Sequence, residues 1–177
     1  MRKLKLKELG RLDIESYDAT PKVPIVVVLD DIRSAYNVGS IFRTSDAMAI
    51  ERIVLCGITA QPPSREITKT AIGATESVAW VYEQHVDQAL QSLKAEGYTI
   101  LAIEQTTESV ELLSYVPSNE KIAIVLGNEV KGVSEDALAL ADQAIDLAQY
   151  GTKHSLNVSV CGGIVIHHFS ELFRAKE

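Results

Sequence analysis

Residues 24–29 read PIVVVL. A β-branched run without a polar face suits a strand covered on both sides rather than one that is half wetted. Working outward, strands of this kind alternate with helical spacing. Residues 30–39 form a polar loop, 40–48 a short helix and 52–56 a second strand. The stretch 57–73, with Pro62, Pro63 and Ser64, is irregular, with room for a short helix before Gly73. Residues 77–82 are strand-like, and 86–96 form an amphipathic helix closed by Gly97. A strand over 98–103, a helix over 108–115 and a strand over 121–126 follow. Ser134 N-caps a helix over 134–141, with Glu135 and Asp136 in its first turn. A short strand at 144–147 precedes the last helix. This order predicts an α/β fold, a mainly parallel sheet with helices on both faces. Ligands of such sheets sit outside the carboxyl ends of the strands. Polar loops leave those ends after Leu29, after Leu126 and after Leu147.

Composition bounds the class. A chain of 177 residues, 46% apolar and 23% charged, suits one ordinary globular domain. No apolar run approaches the ~20 residues needed to cross a bilayer, and MRKLKLKELGR lacks the apolar core of a signal peptide. Cys56 and Cys161 lie in apolar surroundings without metal or redox spacing, and read as buried thiols of a cytoplasmic protein. A net charge of −7 argues against nucleic-acid binding by the whole surface. Yet Arg2, Lys3, Lys5, Lys7 and Arg11 face only Glu8 within residues 1–11. Residues 1–20 therefore read as a basic extension ahead of a 21–177 domain. That arm either meets phosphates or, through Leu4, Leu6 and Leu9, packs in an interface.

The final helix is unusual. Residues 149–169 read QYGTKHSLNVSVCGGIVIHHF. Ser155 is a helix N-cap type, with Leu156, Val160, Ile164 and His167 on one face and Val158, Cys161, Val165, Phe169 and Leu172 on the next. This helix is expected to be buried on most sides. Gly162 and Gly163 each cost roughly 1 kcal/mol there relative to alanine, which points to close approach by another backbone or helix. Ser155, Asn157 and Ser159 put small polar groups where free N–H groups can meet a ligand. Taken alone, the segment equally reads as a capped core helix. The loop DDIRSAYNVGSIFRT offers Asn37 at a helix mouth and Arg43 about a turn later, where a guanidinium can hold a phosphate. Alternatively, Asn37 caps the helix and Arg43 pairs with a carboxylate. In LGNEVKGVS, Gly127 permits close approach, Asn128 and Glu129 offer acceptors, and Gly132 tolerates a positive φ. On its own this is an ordinary strand-to-helix turn.

In combination they are specific. NVGSIFRT, IVLGNEVKGVS and GTKHSLNVSVCGGIVIHH, in that order, resemble the three signature motifs of the SpoU-type RNA ribose methyltransferases of the SPOUT superfamily, over about residues 22–172. The resemblance implies methyl transfer from S-adenosylmethionine to a ribose 2′-hydroxyl of tRNA or rRNA, leaving S-adenosylhomocysteine, with no metal. It also implies a homodimer and a C-terminal deep trefoil knot. By the same resemblance Arg43 is the catalytic residue beside the ribose and its phosphate, with Asn37, Glu129, Ser155 and Asn157 the other polar positions. Leu126, Gly127, Asn128, Ile145, Leu147 and Leu156 then border the cofactor. The family usually has a proline and a methionine after the isoleucine opening the last edge. Here that run is Ile145-Asp146-Leu147-Ala148-Gln149.

Free arginine stays protonated above pH 12, so Arg43 reads as an electrostatic clamp rather than a base. His154 could accept a proton near neutral pH, although the family pattern does not require it. His167 and His168 are adjacent on a helix and point different ways, which disfavours a shared metal. A nucleotide-dependent oxidoreductase would need G-x-G-x-x-G after a strand, and none occurs. A receiver-like domain, prompted by Asp30-Asp31, would need a phosphoacceptor aspartate ending a later strand. A noncatalytic RNA-binding relative would have lost Arg43, Glu129 or Asn157, and all are present.

Overall fold

The computed structural model describes residues 1–175, the side chain of Leu6 excepted. Its centre is a seven-stranded sheet in the order β3-β2-β1-β6-β4-β7-β5, all parallel. The strands are β1 (Val23–Asp30), β2 (Ile50–Cys56), β3 (Ala79–Glu83), β4 (Thr99–Ile103), β5 (Val110–Glu111), β6 (Ile122–Leu126) and β7 (Gln143–Asp146). The apolar run predicted for the first strand lies at the sheet centre. Ile25, Val27 and Leu29 point to one core, and Val26 and Val28 to the other, as the two-residue pleat requires. Each is fully buried, worth about 1.5–3 kcal/mol per side chain.

Helices cover both faces. On one side lie α2 (Ala35–Met48), α3 (Arg65–Ala71), α4 (Ala74–Ser77) and α7 (Val158–Arg174); on the other lie α5 (Val86–Ala95) and α6 (Glu135–Leu140). The short α1 (Ile14–Ala19) packs against α4. None of the described helices is long and apolar enough to cross a membrane.

Four expectations change. The helix expected over 40–48 begins at Ala35, because Ser34 accepts the Asn37 N–H and a distant carboxylate takes the N–H groups of Arg33 and Ser34. The short helix for which there is room before Gly73 is present as α3, as expected, and α4 follows immediately. The helix expected over 108–115 is instead β5, paired with β7 at Val110↔Ile145, and a 3-10 turn at Leu112–Ser114. An open strand edge outcompetes one or two isolated helical turns, which are costly to nucleate.

The last helix is capped by Asn157, not Ser155: the Asn157 side chain accepts the N–H groups of Ser159 and Val160. It is also less buried than its periodicity implies. Val165 and Phe169 are in the core, while Leu156 before the helix, Val160 and Ile164 are 40%, 53% and 44% exposed. Of the two mid-helix glycines, Gly162 has the close neighbour: an added Cβ would lie 2.7 Å from Leu126 Cδ1, whereas at Gly163 the nearest atom is Thr44 Oγ1 at 4.0 Å. Cys56 is buried and Cys161 half-buried, both free thiols. Burial pushes their pKa values up to about 12 and about 11, with neighbouring carboxylates adding to the effect.

The turn after β6 is closed by backbone packed on backbone. A Cβ on Gly127 would stand 2.1 Å from the Val133 nitrogen and 2.2 Å from the Gly132 carbonyl carbon, both backbone atoms that cannot swing away. Gly127→Ala is expected to cost about 2–3 kcal/mol, a melting-temperature fall of roughly 5–10 °C for a chain of this size. Gly151→Ala, with nothing within 4 Å of the added atom, should stay within about 1 °C of wild type. Equal melts for the two variants would contradict the packing at Gly127.

Candidate active site

A cavity of about 640 Å³ opens at the carboxyl ends of β6, β4 and β7, three adjacent strands. Its apolar lining includes Leu126, Ile145 and Leu147, with Leu156 from the loop before α7 and Val158 and Cys161 from the first turn of that helix. The turn after β6 contributes Gly127, Asn128 and Glu129, and the last loop adds Ser155 and Asn157. Two separated motifs therefore meet around one cavity. Asn37 and Arg43, from the first motif, do not line it.

Hydrogen bonds join the first motif to the other two. The Glu129 carboxylate accepts the Arg33 N–H at 2.8 Å, the Ser34 N–H at 3.0 Å and the Asn37 side-chain amide at 2.9 Å. Asn37 Oδ1 accepts from the Asn157 side-chain amide at 3.2 Å. Asn157 Oδ1 in turn takes the Ser159 and Val160 N–H groups at 3.0 and 3.3 Å and the Ser159 hydroxyl at 2.7 Å. One anion thus caps α2, and the chain of side-chain bonds it starts ends in the cap of α7. Burial alone would raise the Glu129 carboxyl, but hydrogen bonds from Arg33, Asn37 and Ser34 outweigh it and hold the group below the usual carboxylate range.

The loop that carries Glu129 is itself pinned. Asn128 donates its side-chain amide to the Asp31 carbonyl at 2.7 Å and accepts the N–H groups of Val130 and Lys131. Gly132, at φ 73°, donates its N–H to the Asn128 carbonyl at 2.8 Å. Glu104 accepts the Val133 N–H at 2.9 Å. What on its own reads as an ordinary strand-to-helix turn is therefore a ledge tied to the ends of β1 and β4.

Arg43 stands exposed on α2. Among the described residues no hydrogen bond or ion pair holds it, so the alternative in which it pairs with a carboxylate does not apply. A fixed helix carrying an unpaired guanidinium is suited to an anion from outside the chain. His154 and Ser155 are exposed at the cavity rim.

Sequence reasoning missed a fourth loop. Glu104, Gln105 and Thr106 leave β4 and line the same cavity. The signal was available in EQTT following TILAI, another polar loop after an apolar strand. Its importance depends on β4 lying between β6 and β7, an order that no local pattern carries.

Residues 24–167 match the model of the SpoU rRNA Methylase family. The chain is 33% identical to the tRNA (guanosine(18)-2′-O)-methyltransferase of Aquifex aeolicus, over 81% of this chain and 67% of that protein. It is 29% identical to the 23S rRNA (guanosine-2′-O-)-methyltransferase of Neisseria meningitidis serogroup B, over 81% of this chain and 56% of the relative. The chain thus spans between about half and two thirds of the length of these curated relatives. The crystal structure of an AdoMet-bound rRNA methyltransferase from Sinorhizobium meliloti superposes with a TM-score of 0.77 at 25% identity, covering 84% of this chain and 56% of that one. Shared sequence over most of its length and a shared sheet lead to one conclusion: the chain belongs to the SpoU rRNA Methylase family.

Proposed function

We propose that the protein moves the methyl group of S-adenosylmethionine to a ribose 2′-hydroxyl of tRNA or rRNA. The observation that carries this reading is the chain of hydrogen bonds Glu129–Asn37–Asn157, which ties the helix bearing Arg43 to the lip of the cavity. The Sinorhizobium meliloti relative is described as AdoMet-bound, and the cavity here fits such a molecule chemically. Leu126, Ile145 and Leu147 offer apolar contact to a purine, and Leu156 borders it. Glu104, Glu129, Glu135 and Asp146 give the lining an acidic character against one lysine, Lys131, suited to a ligand with sulfonium and ammonium charges. Asn128 and the backbone at Gly127 supply polar groups for the ribose and the amino-acid tail.

When bound, S-adenosylmethionine supplies a methyl group already activated on sulfur. The protein then has to hold the sugar oxygen in line with it, and orientation of this kind can lower a barrier by roughly 7–11 kcal/mol. Asn37 and Asn157 fix the angle between α2 and α7, and Glu129 fixes α2 to the ledge. Arg43 grips the phosphate beside the target ribose and stabilises negative charge developing on the 2′-oxygen as its proton passes to water. Ser155 borders the same space. The new oxygen–carbon bond forms as the sulfur–carbon bond breaks, and S-adenosylhomocysteine leaves.

A homodimer is part of the same proposal. Val160 and Ile164 on α7, with Leu113 at 75% exposure, make an apolar surface and flank a hollow of about 570 Å³. Exposed apolar surface of this kind marks an association site, and a second copy satisfies it by two-fold symmetry. We also propose that the C-terminus is knotted, a reading supported by α7 returning after β7 to pack on α2, β1 and β6. The 1–20 extension, with Lys3, Lys5, Lys7 and Arg11 exposed, is proposed to meet RNA phosphates outside the 21–177 domain. The two free thiols suit a cytoplasmic setting.

Calorimetry and ribose-methylation mapping test the reaction. Arg43→Lys is expected to keep S-adenosylmethionine affinity while turnover falls roughly tenfold or more, because the planar fork is lost. Leu147→Glu is expected to weaken cofactor binding by a similar factor. Normal turnover in the lysine variant would overturn the clamp, and absence of cofactor binding in the wild type would overturn the reaction itself. Sedimentation tests the assembly: a wild-type dimer converted to a monomer by Ile164→Glu is expected, and a wild-type monomer would refute it.

A further inference from the structure

We propose that Tyr36 stacks a base of the RNA next to the nucleotide being methylated, with Lys69 holding the adjoining phosphate. The inference rests on the methyltransferase reading and adds a grip on the substrate strand.

At 3.6 residues per turn, positions 36, 40 and 43 of α2 fall along one stripe. The flanks of that stripe are occupied. On one side is Gly39, where an added Cβ would lie 2.3 Å from the Ile67 carbonyl oxygen and 2.2 Å from Thr70 Oγ1 of α3. On the other side, Ile41 and Thr44 turn toward Gly162 and Gly163 of α7. Tyr36, Ser40 and Arg43 are left looking out of the groove between α3 and α7. Tyr36 is 44% exposed and directly precedes Asn37, the middle member of the hydrogen-bond chain at the cavity lip. Arg43 lies seven residues further on, about 10 Å along the axis. The stripe therefore runs from the lip to the proposed phosphate clamp, over a distance suited to one nucleotide and its neighbour.

The tyrosine is held in place from α3. Thr70 Oγ1 donates to the Tyr36 carbonyl at 3.0 Å; Lys69 Nζ donates to the phenol oxygen at 3.5 Å and lies 5.8 Å from the ring centroid. Among the described residues neither Lys69 nor Arg43 has a carboxylate partner, in a chain whose net charge is −7. A tyrosine serving only to pack would bury its face. An exposed ring with a cation at its edge is the combination that holds single-stranded nucleic acid: the face stacks a base, and the cation meets the backbone.

The test uses the full-length protein, a fluorescein-labelled oligoadenylate followed by anisotropy, and methylation kinetics on unfractionated tRNA and rRNA. Tyr36→Ala is expected to weaken oligoadenylate binding and raise the RNA KM about tenfold, while Tyr36→Phe, which keeps the ring, stays within about twofold of wild type. Lys69→Gln is expected to weaken binding and reduce the slope of log affinity against log salt by about 0.7, one phosphate contact on a single strand. Unchanged affinity in Tyr36→Ala would overturn the proposal and leave this surface to a protein contact. A phenylalanine variant as weak as the alanine variant would also overturn it, by making the hydroxyl rather than the ring responsible. If no RNA is methylated but Tyr36→Ala still loses oligoadenylate, the methyltransferase reading falls and the stacking site stands. If methylation proceeds and neither variant moves affinity, the stacking site falls alone.

Discussion

Everything at the site depends on where one carboxylate sits. Glu129 lies on a short ledge after the central β6, and its two oxygens satisfy the free N–H groups of Arg33 and Ser34 together with the side chain of Asn37. Helix starts leave such N–H groups unpaired and favour negative charge, so an anion supplied from the ledge fixes where α2 begins. Asn37 hands the constraint on to Asn157, which caps α7. Two helices and one strand end are thereby locked together by groups that reach across the sheet. The cost of holding Glu129 partly away from water is more than offset by those bonds, as its lowered pKa indicates.

How much of this could be read from residues alone follows the range of the interactions. The central strands were legible because unbroken runs such as 24–29 and 122–126 favour burial on both faces. The start of α2 was not, since the carboxylate that takes the Ser34 N–H lies 95 residues away and SAYNVGS has the composition of a loop. Residues 108–115 were misread for a related reason: the edge of β7 offers them a partner that their own spacing does not announce. For α7 the periodicity was sound. What it could not say is which apolar stripe meets the core and which, at Val160 and Ile164, stays outside. The motif residues were recognisable as a set. Their division into cavity-lining groups and the outward-facing Arg43 needed coordinates.

On the proposed reading, that division gives the molecule two working surfaces. The cavity beyond β6, β4 and β7 is lined by both apolar and acidic side chains, suited to a small cationic ligand. The outward stripe of α2 carries a guanidinium without a partner among the described residues and an exposed tyrosine, suited to a polyanion with stackable bases. In the proposed reaction the methyl donor occupies the first and the acceptor strand lies on the second, so neither surface has to satisfy both sets of requirements. The angle between them then decides whether sugar oxygen and methyl group align.

Asn37 is the residue through which that angle is set, and single-turnover methylation by Asn37→Ala, measured alongside its S-adenosylmethionine affinity, tests the point most directly. Cofactor affinity is expected to stay within about threefold of wild type while the methyl-transfer rate falls roughly hundredfold, the scale of loss from misplacing oriented reactants by about 1 Å. A transfer rate equal to wild type in a folded Asn37→Ala protein would contradict the claim that this bridge aligns donor and acceptor.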